Sequence, residues 1–136
     1  MNISSLFSLE GKTALVTGGS KGIGAMIAKG LIDAGSQVYI SSRNEKECIQ
    51  AAKEMSNDKL KCLALPGDVS SLAGINELVE KYSKNEASLD ILVNNAGIID
   101  NSLFQMTTIK NLKKIFDVNY FSLTQFTQII LKAIIK

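Results

Sequence analysis

The sequence predicts an α/β fold in which a doubly wound parallel sheet is covered by helices on both faces. Short apolar runs alternate with segments of helical period, and turns that contain glycine separate them. The helical segments are long enough to form the crossovers between parallel strands. The chain has 136 residues, of which 46% are hydrophobic, so we expect residues 1–136 to form a single domain.

Four apolar runs are predicted as strands. The first covers residues 13–17 and stops at a glycine cluster, and the others cover residues 37–41, 60–65 and 89–93. In a sheet of only these four strands, we expect the apolar fourth strand to form an exposed edge.

Helical patterns occupy the segments between the strands. The first begins at Gly22 and stops at Gly35, and its predicted buried face is Ile23, Ile27, Leu31 and Ala34. Gly30 lies inside this helix, where close packing against the sheet would explain a glycine. The second helix has a predicted capping box, with Asn44 as the N-cap and Glu47 three positions later, and its predicted buried face is Cys48, Ala51, Ala52 and Met55.

Two more helices are predicted in the second half of the chain. Ser70 or Ser71 caps the third, and its predicted buried face is Ile75, Leu78, Val79 and Tyr82. One long helix then covers residues 112–136, with an apolar side of Ile115, Phe116, Leu123, Phe126, Ile130 and Ile134. If the fold stops after this helix, we expect few partners for Phe116, Phe126, Ile130 and Ile134.

The composition excludes several classes of site. The chain has no histidine, which excludes a Ser-His-Asp triad, a zinc-protease helix and histidine-based acid–base catalysis. Two cysteines, Cys48 and Cys62, are too few for a disulfide framework or a Cys₄ zinc site, and we predict no metal site. Both lie in apolar patterns, which favours buried free thiols in a reducing compartment.

Charge and hydropathy exclude two kinds of partner. The net charge of +2 is spread thinly, without the basic stripe of a nucleic-acid-binding protein. The N-terminal segment lacks the basic start and apolar stretch of a secretory signal, and no uncharged apolar run reaches the roughly 18 residues of a membrane span. We therefore expect a cytoplasmic protein that binds neither nucleic acid nor membranes.

A glycine-rich turn between the first strand and the first helix carries the predicted chemistry. The first amide groups of a helix lack partners, and with the helix dipole they attract an anion such as a pyrophosphate. Gly18 allows the tight turn, while Gly22 and Gly24 allow the backbone to approach a phosphate and the helix to approach the strand. The candidate binding residues of this turn are Gly18, Ser20, Lys21, Gly22, Ile23 and Gly24.

Two common phosphate-binding glycine motifs do not match this turn. A P-loop is excluded because Leu6 stands where the Gly-Lys-Thr run of residues 11–13 would require a glycine, and because that run precedes the strand. The spacing G-x-x-x-G-x-G also differs from the G-x-G-x-x-G fingerprint. A purely structural turn is the remaining alternative.

Four motifs in this order resemble the signatures of the short-chain dehydrogenase/reductase family. They are Thr-Gly-x-x-x-Gly-Ile-Gly at 17–24, Gly-Asp-Val at 67–69, Asn-Asn-Ala-Gly at 94–97 and Asp-Val-Asn at 117–119. Within the family the chain is most similar to the N-terminal part of the 3-oxoacyl-(acyl carrier protein) reductase-like group. The resemblance implies a Rossmann-type sheet that holds a nicotinamide dinucleotide, and hydride exchange with a carbonyl or an alcohol.

The end of the second strand indicates which nicotinamide coenzyme binds. An NAD site usually places a carboxylate there, whereas this chain has Ser42 followed by Arg43, its only arginine. A guanidinium binds the 2′-phosphate of NADP, which a carboxylate would repel. In the family that the chain resembles, basic residues at the positions of Lys21 and Arg43 accompany NADP(H). We therefore predict NADP(H), the alternative being that both side chains are solvated surface charges.

The resemblance implies roles for two further motifs. Asp68 would accept a hydrogen bond from the adenine amino group beside the Val69 backbone, and Asn95, Ala96 and Gly97 would form the wall near the two riboses. The structural alternatives are a helix-capping Asx turn at Asp68 and a plain strand-ending turn at residues 95–97.

The resemblance also implies catalytic residues, most of which this chain lacks. Asn119 matches the active-site asparagine, which helps to position a water near the catalytic lysine, although it could equally be a polar helix position. The family's proton donor is a tyrosine with a lysine four residues later, assisted by a serine. The residues four positions after Tyr39, Tyr82 and Tyr120 are Arg43, Glu86 and Thr124, so none of the three fits.

Three functional interpretations follow. In the first, the chain is the NADP(H)-binding part of a carbonyl reductase, truncated after the fourth strand and the long helix. Its substrate would be a small carbonyl or acyl thioester, and the full-length enzyme would form a homo-oligomer through the long helix. In the second it is a non-catalytic dinucleotide-binding or regulatory module, and in the third a structural assembly subunit.

Overall fold

Four parallel strands form one sheet in the computed structural model, which describes residues 3–134. They are β1 (Thr13–Thr17), β2 (Gln37–Ser41), β3 (Cys62–Ala64) and β4 (Ile91–Val93). Their spatial order is β3-β2-β1-β4, and the register pairs Leu15 with Tyr39 on one side and with Leu92 on the other. The parallel sheet confirms the predicted fold class. The strand β3 is shorter than the predicted run at both ends, and β4 is shorter at its N-terminal end.

Helices cover both faces of this sheet. The helices of the described residues are α1 (Ile3–Leu6), α2 (Gly22–Asp33), α3 (Glu45–Met55), α4 (Leu72–Asn85), α5 (Ile109–Phe116) and α6 (Leu123–Ile134). The helices α2 and α3 pack on one face of the sheet, and α4 and α6 pack on the other. A π-helical turn, Asp117–Ser122, joins α5 to α6, so the predicted long helix exists but begins at Ile109 and is wider in its middle. Its last two predicted residues, Ile135 and Lys136, lie outside the described residues. Between residues 3 and 134, no helix combines the length and hydropathy needed to span a membrane.

Two apolar layers pack against opposite faces of the sheet. Ala14 and Val16 of β1 contact the layer of α2 and α3, whereas Leu15 contacts the layer of α4 and α6. This alternation follows from the pleating of a strand, which sends successive side chains to opposite faces. The first layer includes Cys48 and Cys62, which are buried and free, and burial raises the pKa of the Cys62 thiol to about 12.

Several helix predictions are confirmed by side-chain contacts. The Asn44 side chain accepts a hydrogen bond from the Glu47 amide at 3.1 Å, and the Ser71 hydroxyl accepts one from the Gly74 amide at 3.2 Å. Ser71, rather than Ser70, is therefore the cap of α4. The predicted buried face of this helix is correct at all four positions, Ile75, Leu78, Val79 and Tyr82.

The predicted buried face of α2 is wrong by one position along the helix. The structure buries Gly24, Ala28 and Ile32, while Ile23 is 70% exposed. The prediction relied on the spacing of large apolar side chains. In the structure two small residues, Gly24 and Ala28, face the sheet and let the helix approach it closely. Ile27 and Leu31 lie at the border of the core and are only partly buried.

The long helix also differs from expectation. Phe126 and Ile130 are fully buried in the layer that α6 forms with α4, although we expected them to have few partners. Phe116, in contrast, is exposed as expected. The wider π turn lies between these residues and shifts the apolar face of α6 relative to that of α5.

Gly30 does not lie against the sheet, contrary to the expectation. It lies on the exposed side of α2, where an added Cβ would have no atom within 4 Å.

We predict that Gly30→Ala raises the free energy of unfolding by about 0.5–1 kcal/mol, because alanine is the better helix former and restricts the unfolded chain. Urea unfolding measures the difference.

Gly24→Ala provides the matched control, because it makes the same substitution in the same helix. At Gly24 the new Cβ would collide with the Gly18 carbonyl oxygen, so this variant should lose stability. A loss of stability in Gly30→Ala would contradict the prediction.

Candidate functional site

A cleft of about 950 Å³ lies at the carboxyl ends of the strands. The strand order reverses between β1 and β4, since the chain proceeds from β1 to β2 and β3 on one side and places β4 on the other. The segments that follow β1 and β4 therefore diverge, and such a switch point is where open α/β sheets bind ligands. The wall of the cleft contains residues that follow each of the four strands, together with Lys114 and Val118 from the last long helix.

The wall includes most of the predicted binding residues. Those that line the cleft are Gly18, Ser20, Lys21, Ser42, Arg43, Asp68, Val69, Asn95, Ala96 and Gly97. Four predicted residues lie outside the wall, namely Gly22, Ile23, Gly24 and Asn119. The sequence predicted a capping role for Glu47 and no role for Lys114, and it did not place either residue in the cleft. The available signal was their spacing, because Glu47 lies one helical turn from Asn44 and Lys114 one helical turn from Asp117.

The N-terminus of α2 faces the glycine turn without a side-chain cap. Its N-cap residue is Lys21, whose side chain makes no capping hydrogen bond, whereas Asn44 and Ser71 cap α3 and α4. The first amide groups of α2 therefore keep their capacity to bind an anion. This difference between the three helices is what the predicted pyrophosphate site requires.

Two glycines let the turn and the helix pack against the loop after β4. Gly18 has a φ of +65°, and a Cβ there would lie 2.9 Å from the Asn95 amide nitrogen Nδ2. A Cβ at Gly24 would lie 2.5 Å from the same nitrogen. Only glycine fits both positions without moving Asn95.

Thr17 holds the ends of β1 and β4 together. Its buried hydroxyl donates a hydrogen bond to the Val93 carbonyl at 3.2 Å and accepts one each from the Asn95 and Ala96 amides at 3.1 Å. The Asn95 side chain in turn donates to the carbonyls of Thr17 and Gly18, both at 3.1 Å. Asn95 thus positions the turn as well as lining the cleft. The sequence offered only the β-branched character of Thr17, which predicts a strand but not this role.

Charged side chains meet at the end of the cleft near β2. The ammonium nitrogen of Lys21 lies 3.5 Å from the Glu47 carboxylate. Within the part of the chain that the structure describes, the Arg43 guanidinium makes no hydrogen bond or salt bridge, and Asp68 is the carboxylate whose charge it influences. Ser42 bonds locally, because its hydroxyl donates to the Asn44 carbonyl at 3.2 Å. Arg43 therefore keeps its hydrogen-bond donors for a ligand.

Asp68 forms an Asx turn, as its structural alternative predicted, but this turn does not cap α4, whose N-cap is Ser71. Its Oδ1 accepts hydrogen bonds from the Ser70 amide at 2.9 Å and the Ser70 hydroxyl at 2.6 Å. The Ser70 hydroxyl bond is the main cause that lowers the pKa of the Asp68 carboxyl, and the nearby Arg43 charge adds to it. The group is thus ionised at neutral pH. Because a carboxylate has two oxygens, the turn leaves Asp68 with acceptor capacity for a ligand.

Asn119 holds the loop that leaves β4. It lies in the π turn, where its Oδ1 accepts from the Ile98 amide and its Nδ2 donates to the Ile98 carbonyl, both at 2.8 Å. Gly97 passes close by, since a Cβ there would lie 3.1 Å from Asn119 Oδ1. The side chain is therefore occupied in positioning the cleft wall.

The buried tyrosines lie outside the cleft. The Tyr39 hydroxyl donates to Glu86 at 2.8 Å and the Tyr82 hydroxyl to the Ser88 carbonyl at 2.7 Å. Burial raises the pKa of both phenols well above the ordinary value. Across residues 3–134, no cluster of three or more acidic, cysteine or histidine side chains could hold a metal ion.

Known proteins are similar in sequence to this chain over part of their own length. The rhamnolipids biosynthesis 3-oxoacyl-[acyl-carrier-protein] reductase of Pseudomonas aeruginosa is 43% identical over 115 residues, which are 83% of this chain and 44% of that protein. The chain thus spans about half the length of the relatives that it matches.

Solved structures are also similar to this chain, again over about half of their own length. The Pseudomonas aeruginosa RhlG/NADP active-site complex superposes with a TM-score of 0.87 and 41% identity, covering 92% of this chain and 48% of that one. A 3-ketoacyl-(acyl-carrier-protein) reductase from Brucella melitensis, complexed with NADH, has a TM-score of 0.81 and 31% identity, covering 93% and 51%.

The family model for short chain dehydrogenases matches residues 12–136, which is most of the chain. That match includes every strand of the sheet and every element that lines the cleft. The protein therefore belongs to the short-chain dehydrogenase family.

Proposed function

We propose that this chain is the NADP(H)-binding part of an oxidoreductase that transfers hydride to a carbonyl group. The observation that carries the proposal is the cleft at the switch point. One wall of it contains Lys21, the N-cap residue of the uncapped helix α2, and Arg43, whose guanidinium has no hydrogen bond or salt bridge to any residue that the structure describes. The relative that was solved as an NADP complex supports the choice of coenzyme. A dinucleotide-binding module without catalysis would use the same cleft.

The coenzyme would extend along the wall from the glycine turn. Its pyrophosphate would bind the first amide groups of α2, near Gly22–Gly24, and Ser20 would lie beside it. Its 2′-phosphate would bind Arg43 and Lys21, and its adenine amino group would donate to Asp68. The riboses would lie along residues 95–97, where small side chains leave room. The bound coenzyme supplies the hydride, while the protein residues bind and orient it.

Reduction of a carbonyl also requires a proton donor, and we propose that this donor is not among the three tyrosines of the chain. The hydroxyls of Tyr39 and Tyr82 are bonded inside the core, and their raised pKa values are opposite to what a proton donor near neutral pH needs. Tyr120 lacks a lysine one helical turn later. The missing acid would belong to the half of the relatives that this chain does not span, and Asn119 would support it by positioning the loop after β4.

The proposed substrate is a 3-oxoacyl thioester or a related small carbonyl compound. The names of the Pseudomonas aeruginosa and Brucella melitensis relatives support this class. A ketone or sugar-alcohol enzyme of broad range is the second candidate.

We propose that the full-length protein is a homo-oligomer that pairs through its long helix. Ile109, Leu112 and Phe116 form an exposed apolar stripe on α5, and Tyr120 and Phe121 continue it into the π turn. Large exposed apolar stripes of this kind are typical of protein interfaces.

The free thiols of Cys48 and Cys62 support the cytoplasm as the compartment of the protein.

The coenzyme assignment is tested by Arg43→Asp. The substitution removes a cation that would grip the 2′-phosphate and adds a carboxylate that repels it, so we expect NADP⁺ to bind roughly a hundredfold more weakly. NAD⁺, which lacks this phosphate, should bind as before or better. Calorimetric titration of the chain with each coenzyme measures the preference.

Lys46→Asp is the matched control for this charge reversal. Lys46 is exposed on the first turn of α3 and does not line the cleft. An equal loss of NADP⁺ binding in both variants would show a general charge effect and contradict the assignment to Arg43.

We also predict that this chain, alone, binds NADPH without oxidising it. In the presence of a 3-oxoacyl thioester, the NADPH absorbance should stay constant, because no tyrosine is among the described residues that line the cleft. The full-length Pseudomonas aeruginosa reductase serves as the positive control. Sustained turnover by the chain would contradict this account of the missing acid.

A further inference from the structure

The Glu47 carboxylate lies beside Lys21, one of the two cations that would bind the 2′-phosphate. Glu47 lines the same cleft as Lys21 and Arg43, and its side chain is 37% exposed. Its carboxylate lies 3.5 Å from the Lys21 ammonium group. At this end of the cleft Lys21 is therefore already paired with a carboxylate, and the Arg43 charge acts on a second carboxylate, that of Asp68.

The position of Glu47 at the start of α3 does not by itself explain this contact. In a capping box, the glutamate at the third helical position bonds back to the amide of the N-cap residue. Here the Asn44 side chain does accept from the Glu47 amide, but the Glu47 carboxylate pairs with Lys21 instead. The amide of Glu47 is therefore part of the cap of α3, while its carboxylate forms an ion pair with Lys21 in the cleft.

The two coenzymes respond to such a carboxylate in opposite ways. The 2′-phosphate of NADP⁺ carries nearly two negative charges, so it is repelled by Glu47 and must compete with Glu47 for Lys21. The 2′-hydroxyl of NAD⁺ can donate a hydrogen bond to a carboxylate. A carboxylate in this place therefore narrows the difference in affinity between the two coenzymes.

We propose that Glu47 is a specificity-determining residue that weakens NADP(H) relative to NAD(H) by holding Lys21 away from the 2′-phosphate. The inference rests on the proposed function, because it needs a dinucleotide in the cleft. It assigns the preference for NADP(H) mainly to Arg43, with Lys21 contributing in full only when Glu47 is neutral or removed.

The test is the variant Glu47→Gln, titrated calorimetrically with NADP⁺ and with NAD⁺ at low and high salt. Glutamine keeps the length of the side chain and its backbone contact with Asn44, so the fold should be preserved. We expect NADP⁺ to bind roughly five- to tenfold more tightly, with NAD⁺ unchanged or weakened by up to about threefold. The gain should shrink at high salt, because added ions screen the interaction between partly exposed charges.

Glu45→Gln is the matched control. Glu45 lies in the same first turn of α3 and carries the same charge, but it is exposed and does not line the cleft. Its substitution should change the affinity for either coenzyme by less than about twofold.

The possible outcomes separate the two proposals. If the unaltered chain binds a coenzyme but Glu47→Gln changes both affinities equally, or Glu45→Gln has the same effect, then the role of Glu47 is overturned and the dinucleotide site stands. If the unaltered chain binds neither coenzyme, the proposed function is overturned and this inference with it.

Discussion

The junction between the ends of β1 and β4 is the constraint on which the rest of the site depends. The Thr17 hydroxyl joins three backbone groups of the β4 end, and the Asn95 amide joins two carbonyls of the β1 end. The absence of a Cβ at Gly18 and Gly24 permits this close contact. Because α2 begins directly after the junction, its free amide groups are fixed relative to both walls of the cleft. A shift of either loop would therefore disturb the anion site and the wall together.

Features with a local cause could be predicted from the sequence. The caps at Asn44 and Ser71 depend on a side chain and an amide three residues away, so the residue types reveal them directly. The glycine turn follows from the place of Gly18 between an apolar run and a helical period. The predicted face of α4 is correct because large apolar side chains carry it. The predicted face of α2 is wrong because Gly24 and Ala28, which give little hydrophobic signal, form its contact with the sheet.

Features that depend on the tertiary arrangement could not be predicted in this way. The pairing of Lys21 with Glu47 joins the glycine turn to the first turn of α3, and Asn119 is bonded to Ile98, which is 21 residues away in the sequence. The π turn shifts the apolar face of α6, so Phe126 and Ile130 become buried although periodicity alone gave no reason to separate them from Phe116. The charged side chains at the cleft lie outside the two apolar layers, so coenzyme preference could change while the core stays intact.

The two cysteines of the first apolar layer are protected from alkylation in the folded state. Cys48 donates to the Ile40 carbonyl at 3.4 Å, and burial raises the pKa of both thiols. Alkylation requires the thiolate to attack the reagent, and burial disfavours the thiolate and keeps both sulfurs from solvent. Labelling of either sulfur therefore requires α3 to separate from the sheet, and its rate reports how often this side of the protein opens. Cys48 and Cys62 therefore report local unfolding of the apolar layer that packs against β2, the strand that precedes Arg43.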